Sequence, residues 1–129
     1  MTLAARRLRD WVLATPMAFT TEADLQLALA ARLEAEAQLG HPVGGYTREV
    51  SLDQHNRIDF IVDVESTRVG VEVKVGGSLS SVLRQLTRYA DFPEIDELLL
   101  ITTRSRHHHV WKTVAGKPLV LCSLIGDAL

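Results

Sequence analysis

The sequence predicts an α/β fold in which one mixed sheet is flanked by helices. Three observations support this prediction: a strand hairpin at 57–74, helical segments rich in Ala or Leu before and after it, and an apolar run at 98–101. A short continuous apolar run is typical of a central parallel strand that is covered on both faces. The helix between the third and fourth strands is therefore expected to form a right-handed crossover.

The length of 129 residues fits a single domain with its own core. We expect an appended N-terminal helix at 1–19, a core at 21–103, and a loop and terminal strand at 104–129. The net charge of −2 means that the protein as a whole does not attract nucleic acid. Any such contact has to come from a local basic patch.

Cysteine content and hydropathy indicate the cellular compartment in which the protein is expected. The single cysteine, Cys122, excludes an internal disulfide framework and lies in an apolar run, which favours a buried small hydrophobe over a reactive thiol. No apolar run approaches the ~20 residues that cross a bilayer. Segment 1–19 fits a first helix better than a signal peptide. We therefore expect a cytoplasmic protein without membrane contact.

Residue spacing predicts the order of elements. Thr20 or Thr21 is suited to cap the second helix and Ser78 or Ser80 the third, since hydroxyl side chains accept the first free amides of a helix. The predicted segments are helix 2–14, helix 22–38, strand 47–52, two strands within 57–75 with a turn at 65–68, a helix ending at 90, strand 97–103, polar loop 104–117 with a short helix near 109–113, and strand 118–124.

The hairpin carries the charges that point to chemistry. Side chains alternate between the two faces of a strand, so Glu72 and Lys74 project together, away from the valines beside them. Asp59 on the paired strand can lie beside them. Two carboxylates with one ammonium suit a divalent metal that neutralises phosphate charge and activates water. Because Mg²⁺ prefers oxygen ligands, Asp59, Glu72 and the main-chain carbonyl of Val73 are candidate ligands for Mg²⁺ or Mn²⁺.

Each of these signals has a simpler explanation when it stands alone. A Glu-x-Lys strand is also what an ordinary solvated sheet face produces. Asp53 and Asp63 compete with Asp59 as the first carboxylate, although Asp63 lies nearer the turn.

Asp59 followed by Glu72-Val73-Lys74 resembles the PD-(D/E)xK nuclease superfamily. The next helix contains Gln85 and Tyr89, which look like the Q-x-x-x-Y element of its RecB-like branch. The resemblance covers about 22–103 and implies a restriction-endonuclease-like α-β-β-β-α-β core. It also implies that Gln85 and Tyr89 position the site or the scissile strand.

The superfamily also places an acidic residue on the helix before the sheet. Glu22 is the candidate here, as a further metal ligand and catalytic residue, because it is in line with the leucines of that helix. Glu34 and Glu36 are alternatives. A first-turn carboxylate that only interacts with the helix dipole is the competing explanation for Glu22.

Basic residues give candidates for nucleic-acid contact. Arg84 and Arg88 are one helical turn apart and can hold phosphates, and Arg104 and Arg106 precede three adjacent histidines. We expect those histidines, 107–109, to lie in a solvent-exposed loop, since adjacent side chains do not readily converge on one metal ion. Trp11 and Trp111 are expected to anchor the core or an interface.

The sequence therefore predicts a metal-dependent nuclease that hydrolyses phosphodiester bonds in DNA, with RNA not excluded. Asp59 and Glu72 would hold Mg²⁺ or Mn²⁺, and Lys74 would assist the attacking water. A homodimer or a protein partner would supply target recognition that one small domain has little room for. The alternatives are a catalytically inactive nuclease-like domain that binds protein or nucleic acid, and an unrelated enzyme in which the hairpin charges are structural.

Overall fold

The computed structural model describes residues 2–39 and 43–124 and shows a mixed α/β protein. Three α-helices accompany a six-stranded mixed sheet with strand order β1-β2-β3-β4-β6-β5. The elements are α1 (Ala4–Ala14), α2 (Glu22–Leu39), β1 (Val43–Ser51), β2 (Arg57–Val64), β3 (Thr67–Lys74), α3 (Leu79–Ala90), β4 (Glu97–Thr102), a short 3-10 helix (Ser105–His109), β5 (Thr113–Val114) and β6 (Lys117–Ser123). No helix in the described ranges is long and apolar enough to cross a bilayer.

The sheet is antiparallel on one side and parallel in the middle. Strands β1, β2 and β3 form an antiparallel meander, whereas β3 pairs with β4, and β4 with β6, in parallel. One apolar cluster joins the sheet to α1 and α2, and a second joins it to α3. Helices therefore cover both faces, which explains the continuous apolar run of β4.

Helix starts follow the predicted capping chemistry. The Ser78 hydroxyl accepts the Ser81 amide at 3.1 Å at the start of α3. The Thr21 hydroxyl accepts the Asp24 amide at 3.1 Å at the start of α2. These bonds satisfy amides that have no partner within their own helix.

Side-chain alternation breaks in the middle of β2. Phe60 packs in the cluster on the α1 and α2 side, but Ile58 packs in the α3-side cluster. Strict alternation would place both residues on one face, and β2 departs from it here. Pairing between β2 and β3 ends at Phe60 and Val71, so Asp59 lies where the two strands cease to pair.

A glycine on the neighbouring strand accommodates this change of face. A Cβ atom at Gly70 would lie 2.8 Å from Ile58 Cδ1 and 3.2 Å from side-chain atoms of Ile95 and Leu98. A side chain at this position would require these buried methyl groups to shift. Gly70 therefore leaves room for Ile58 on the α3 side.

Several boundaries differ from prediction. Strand β1 begins at Val43 rather than at 47, and the short helix in the 104–117 segment spans Ser105–His109 rather than 109–113. Trp111 was expected to anchor a core or an interface, but it is 57% exposed. The expectation that Cys122 is buried is confirmed.

Candidate active site

The three charged groups of the hairpin meet where β2 and β3 separate. The Asp59 carboxylate accepts the Val73 amide at 2.8 Å, and the Asp59 amide donates to Glu72 Oε1 at 3.3 Å. Lys74 Nζ lies 3.3 Å from Glu72 Oε2. The Asp59 side chain thus gives the Val73 amide an acceptor beyond the point where β2 and β3 cease to pair. These contacts bring both acids and the amine to one location.

Burial sets the protonation of the two acids. Desolvation, followed by the negative charge of Asp59, raises the pKa of Glu72 to about 8, although Lys74 favours the ionised form. Desolvation also raises the pKa of Asp59, despite the hydrogen bond from the Val73 amide. The contact with Lys74 alone would suggest an ionised Glu72, but burial outweighs it because the Glu72 side chain is only 4% exposed. Without a further cation, Glu72 therefore retains its proton near neutral pH.

A third carboxylate approaches from α2. Glu22 Oε1 accepts the Val75 amide at 3.2 Å, one residue after Lys74, and its charge contributes to the raised pKa of Asp59. The alternative Glu34 instead accepts the Tyr46 hydroxyl on the exposed surface. Of the α2 acids considered, Glu22 is the one with these two connections to the hairpin.

Gln85 and Tyr89 connect α3 to the strand that carries Asp59. Gln85 Nε2 donates to the Tyr89 hydroxyl at 2.7 Å, and that hydroxyl donates to the Arg57 carbonyl at 2.7 Å. Tyr89 is buried, and desolvation, followed by the charge of Glu72, raises its pKa to about 12. Tyr89 is therefore placed to hold the β2 backbone two residues before Asp59.

The competing aspartates lie elsewhere. Asp53 is exposed and accepts the amides of His55 and Asn56, which makes it a turn residue. Asp63 is also exposed, and in the strand register it lies opposite Arg68, next to the hairpin turn. Neither shares the hydrogen bonds that join Asp59 to Glu72 and Val73.

The oxygen donors fit a hard divalent cation, but they are not arranged as a finished coordination shell. Within the described ranges, no three His, Cys, Asp or Glu side chains are already grouped as metal ligands. A buried carboxylate beside a half-buried one, with a single ammonium at hand, is nevertheless an arrangement that a divalent cation stabilises. Asp59, Glu72 and Glu22 are the residues that would hold it, and the Val73 carbonyl stays a predicted ligand.

The predicted basic residues are spread over two places. Arg104 Nε donates to the Val75 carbonyl at 2.6 Å, beside the amide that Glu22 accepts. Arg88 Nε donates to Asn56 Oδ1 at 3.0 Å. Arg84 and Arg106 are exposed. Arg104 is thus the arginine next to the acidic cluster, whereas Arg84 and Arg88 lie on α3.

His107 is a buried residue whose contacts were not predicted from the sequence. It is fully buried, which contradicts the prediction of a solvent-exposed histidine loop, although His108 and His109 are exposed. Its Nδ1 lies 2.6 Å from the Thr102 hydroxyl and its Nε2 lies 2.9 Å from the Gly77 carbonyl. A carbonyl only accepts, so Nε2 carries a proton. The ring thereby connects the end of β4 to the loop that follows Lys74.

Replacing His107 by alanine should lower the free energy of unfolding by about 2–4 kcal/mol, because it leaves a cavity and removes the partner of a buried hydroxyl. The matched control is His109→Ala, at an exposed position, which should change it by less than about 0.5 kcal/mol. Urea denaturation of both variants measures the difference. Equal stabilities would contradict the buried role of His107.

No protein-family model, curated protein or solved structure matches this chain.

Proposed function

We propose that this chain is a metal-dependent nuclease of the PD-(D/E)xK type that hydrolyses phosphodiester bonds in DNA. The observation that carries the proposal is the meeting of Asp59, Glu72 and Lys74 where β2 and β3 separate. A buried and a half-buried acid beside one ammonium are unfavourable for stability alone. They are suited to holding a cation against a phosphate.

The order of elements supports the same proposal. Helix α2 is followed by the β1-β2-β3 meander, then by α3, then by β4 parallel to β3. This order agrees with the α-β-β-β-α-β core that the resemblance implies, and it therefore supports the proposal. The Gln85–Tyr89 pair lies on α3, with the Tyr89 hydroxyl bonded to β2.

The side chains divide the chemical work. Asp59, Glu72 and Glu22 would hold Mg²⁺ or Mn²⁺, which would supply charge neutralisation and a more acidic bound water. Lys74, with its side chain 21% exposed, can donate a hydrogen bond to the attacking water or to a phosphate oxygen. Arg104 adds positive charge where the strand leaves the site.

The test compares two aspartates of the same strand. Asp59→Asn keeps an oxygen for the Val73 amide but removes the charge, so cleavage with Mg²⁺ or Mn²⁺ should fall at least about a hundredfold. Asp63→Asn, the matched control, should cleave like the wild type. The assay uses single-stranded, duplex and branched DNA. Equal activity of the two variants would refute the assignment of Asp59.

Wild-type protein that is inert on every substrate and metal would overturn the nuclease proposal. The remaining interpretation would then be a nuclease-like domain that binds a partner without cleaving it. Binding of labelled DNA by the same inert protein would distinguish a nucleic-acid partner from a protein partner.

A further inference from the structure

An exposed tryptophan lies between two grooves lined by cationic side chains. Trp111 is 57% exposed. One groove, of about 450 Å³, runs along α3, and the other, of about 280 Å³, runs between α1 and β6. We call this the Trp111 surface, and its tryptophan, arginine and lysine members are Trp111, Arg84, Arg88, Arg6, Arg9 and Lys112.

The charge of this surface is opposite to that of the whole chain. The net charge of the protein is −2, yet no Asp or Glu is among the described residues that line either groove. Arg9 is paired with Asp10, but Arg88 binds the neutral amide of Asn56. Within the described ranges, the Arg84 side chain makes neither a hydrogen bond nor an ion pair. The surface is therefore complementary to a polyanion.

The Trp111 surface shares a helix with the candidate active site. Arg84 and Arg88 each immediately precede a residue of the Gln85–Tyr89 pair on α3. Consecutive helical residues are about 100° apart around the axis. Arg84 and Arg88 therefore face the groove, whereas Gln85 and Tyr89 face β2. A strand that follows the groove would therefore run along the helix that holds Asp59 in place.

We propose that the Trp111 surface binds an unpaired segment of a nucleic-acid strand, with a base stacked on Trp111 and phosphates held by Arg84, Arg88 and Lys112. An exposed indole among cations suits single-stranded nucleic acid, because every unpaired base offers a flat face and the backbone offers charge. The bases of an intact duplex are stacked on one another and do not offer that face. The proposal that this segment continues into the Asp59–Glu72 site rests on the proposed function.

The experiment measures binding of a fluorescent oligothymidylate of 12 nucleotides and of a blunt duplex of equal length. Wild-type, Trp111→Ala and Trp111→Phe proteins are titrated in EDTA, so that no cleavage occurs. Trp111→Ala should weaken binding of the single strand about tenfold, which corresponds to one lost base stack. Trp111→Phe should bind the single strand more tightly than Trp111→Ala and less tightly than the wild type. The control is Leu27→Ala, at a position that is also 57% exposed, and it should leave the dissociation constant unchanged.

The salt dependence of binding tests the proposed phosphate contacts. Arg84→Ala should weaken binding and reduce the slope of log affinity against log salt concentration by roughly one phosphate contact. Arg32→Ala, on the exposed side of α2, is the matched control. An unchanged slope in Arg84→Ala would overturn the assignment of Arg84 as a phosphate contact.

The outcomes separate this proposal from the nuclease proposal. If oligothymidylate binds independently of Trp111 while Asp59-dependent cleavage of duplex persists, the surface proposal is wrong and the nuclease proposal stands. If binding depends on Trp111 but nothing is cleaved, the surface proposal stands alone. If Trp111→Ala instead converts a dimer into a monomer in size-exclusion chromatography, the surface is a contact between two copies, and the proposal of strand binding is overturned.

Discussion

Replacing Glu72 by glutamine should raise the melting temperature of the metal-free protein at pH 8 by about 5 °C or more. A change of little more than about 1 kcal/mol is enough for a shift of this size in a domain of this length. Glutamine carries no charge, so the cost of ionising a buried carboxylate beside Asp59 disappears. The side-chain oxygen of the introduced glutamine can still accept the hydrogen bond that the Asp59 amide donates to Glu72.

The same substitution should remove most of the pH dependence of stability. The pKa of Glu72 is about 8 in the folded protein and ordinarily 4.5, so the folded state keeps a proton that the unfolded chain releases. The contribution of Glu72 to the stability of the wild-type protein should therefore be greatest below about pH 4.5, and it should be lost as the pH rises to about 8. The raised pKa of Asp59 contributes in the same direction.

Thermal melts in EDTA between pH 5 and pH 9 measure this dependence. The wild-type melting temperature should fall over that range, and adding Mn²⁺ should restore it most strongly at the alkaline end, where the ligand is ionised. Glu72→Gln should show a flatter profile and lose most of the Mn²⁺ effect. A metal-induced rise that survives in Glu72→Gln would show that Glu72 is not a ligand.

Replacing Lys74 by methionine should reduce the rate of DNA cleavage about a hundredfold or more while leaving the fold intact. The methionine side chain fills the space of the lysine stem, but it cannot donate a hydrogen bond to the water or to the phosphate. A single lost donor to the transition-state charge typically costs a factor of about 10²–10³. The measurement is the single-turnover rate with Mg²⁺ at pH 9, above the pKa of Glu72.

Two comparisons make this result specific to the ammonium group. Lys74→Met retains all three carboxylates, so Mn²⁺ should still raise its melting temperature. Lys74→Arg keeps a cation and should retain part of the activity. Cleavage by Lys74→Met at the wild-type rate would remove Lys74 from the proposed chemistry.

Local sequence patterns predicted much of the fold and the place of the hairpin charges. The spacing of Glu72 and Lys74 places both on one face of a strand, and the structure brings Asp59 to them. Capping by Ser78 follows from the same short-range chemistry. These features depend on residues that are close in sequence or paired across one turn.

What was not predictable depends on distant contacts. Strict alternation places Ile58 with Phe60, but the space above Gly70 allows Ile58 to pack on the α3 side. His107 lies in a polar stretch, and its burial is determined by Thr102 and by Gly77, which is 30 residues away. Trp111 is apolar and yet exposed, and a single sequence gives no signal for such a surface.

The bond from the Tyr89 hydroxyl to the Arg57 carbonyl ties α3 to β2. A displacement of α3 along its axis by a few ångströms would break this bond, since hydrogen bonds weaken steeply beyond their normal length. A ligand on the outer face of α3 that shifted the helix would therefore also disturb the backbone beside Asp59, and such a coupling would act in both directions. This bond would transmit the shift together with the packing of Ile58 in the α3-side cluster.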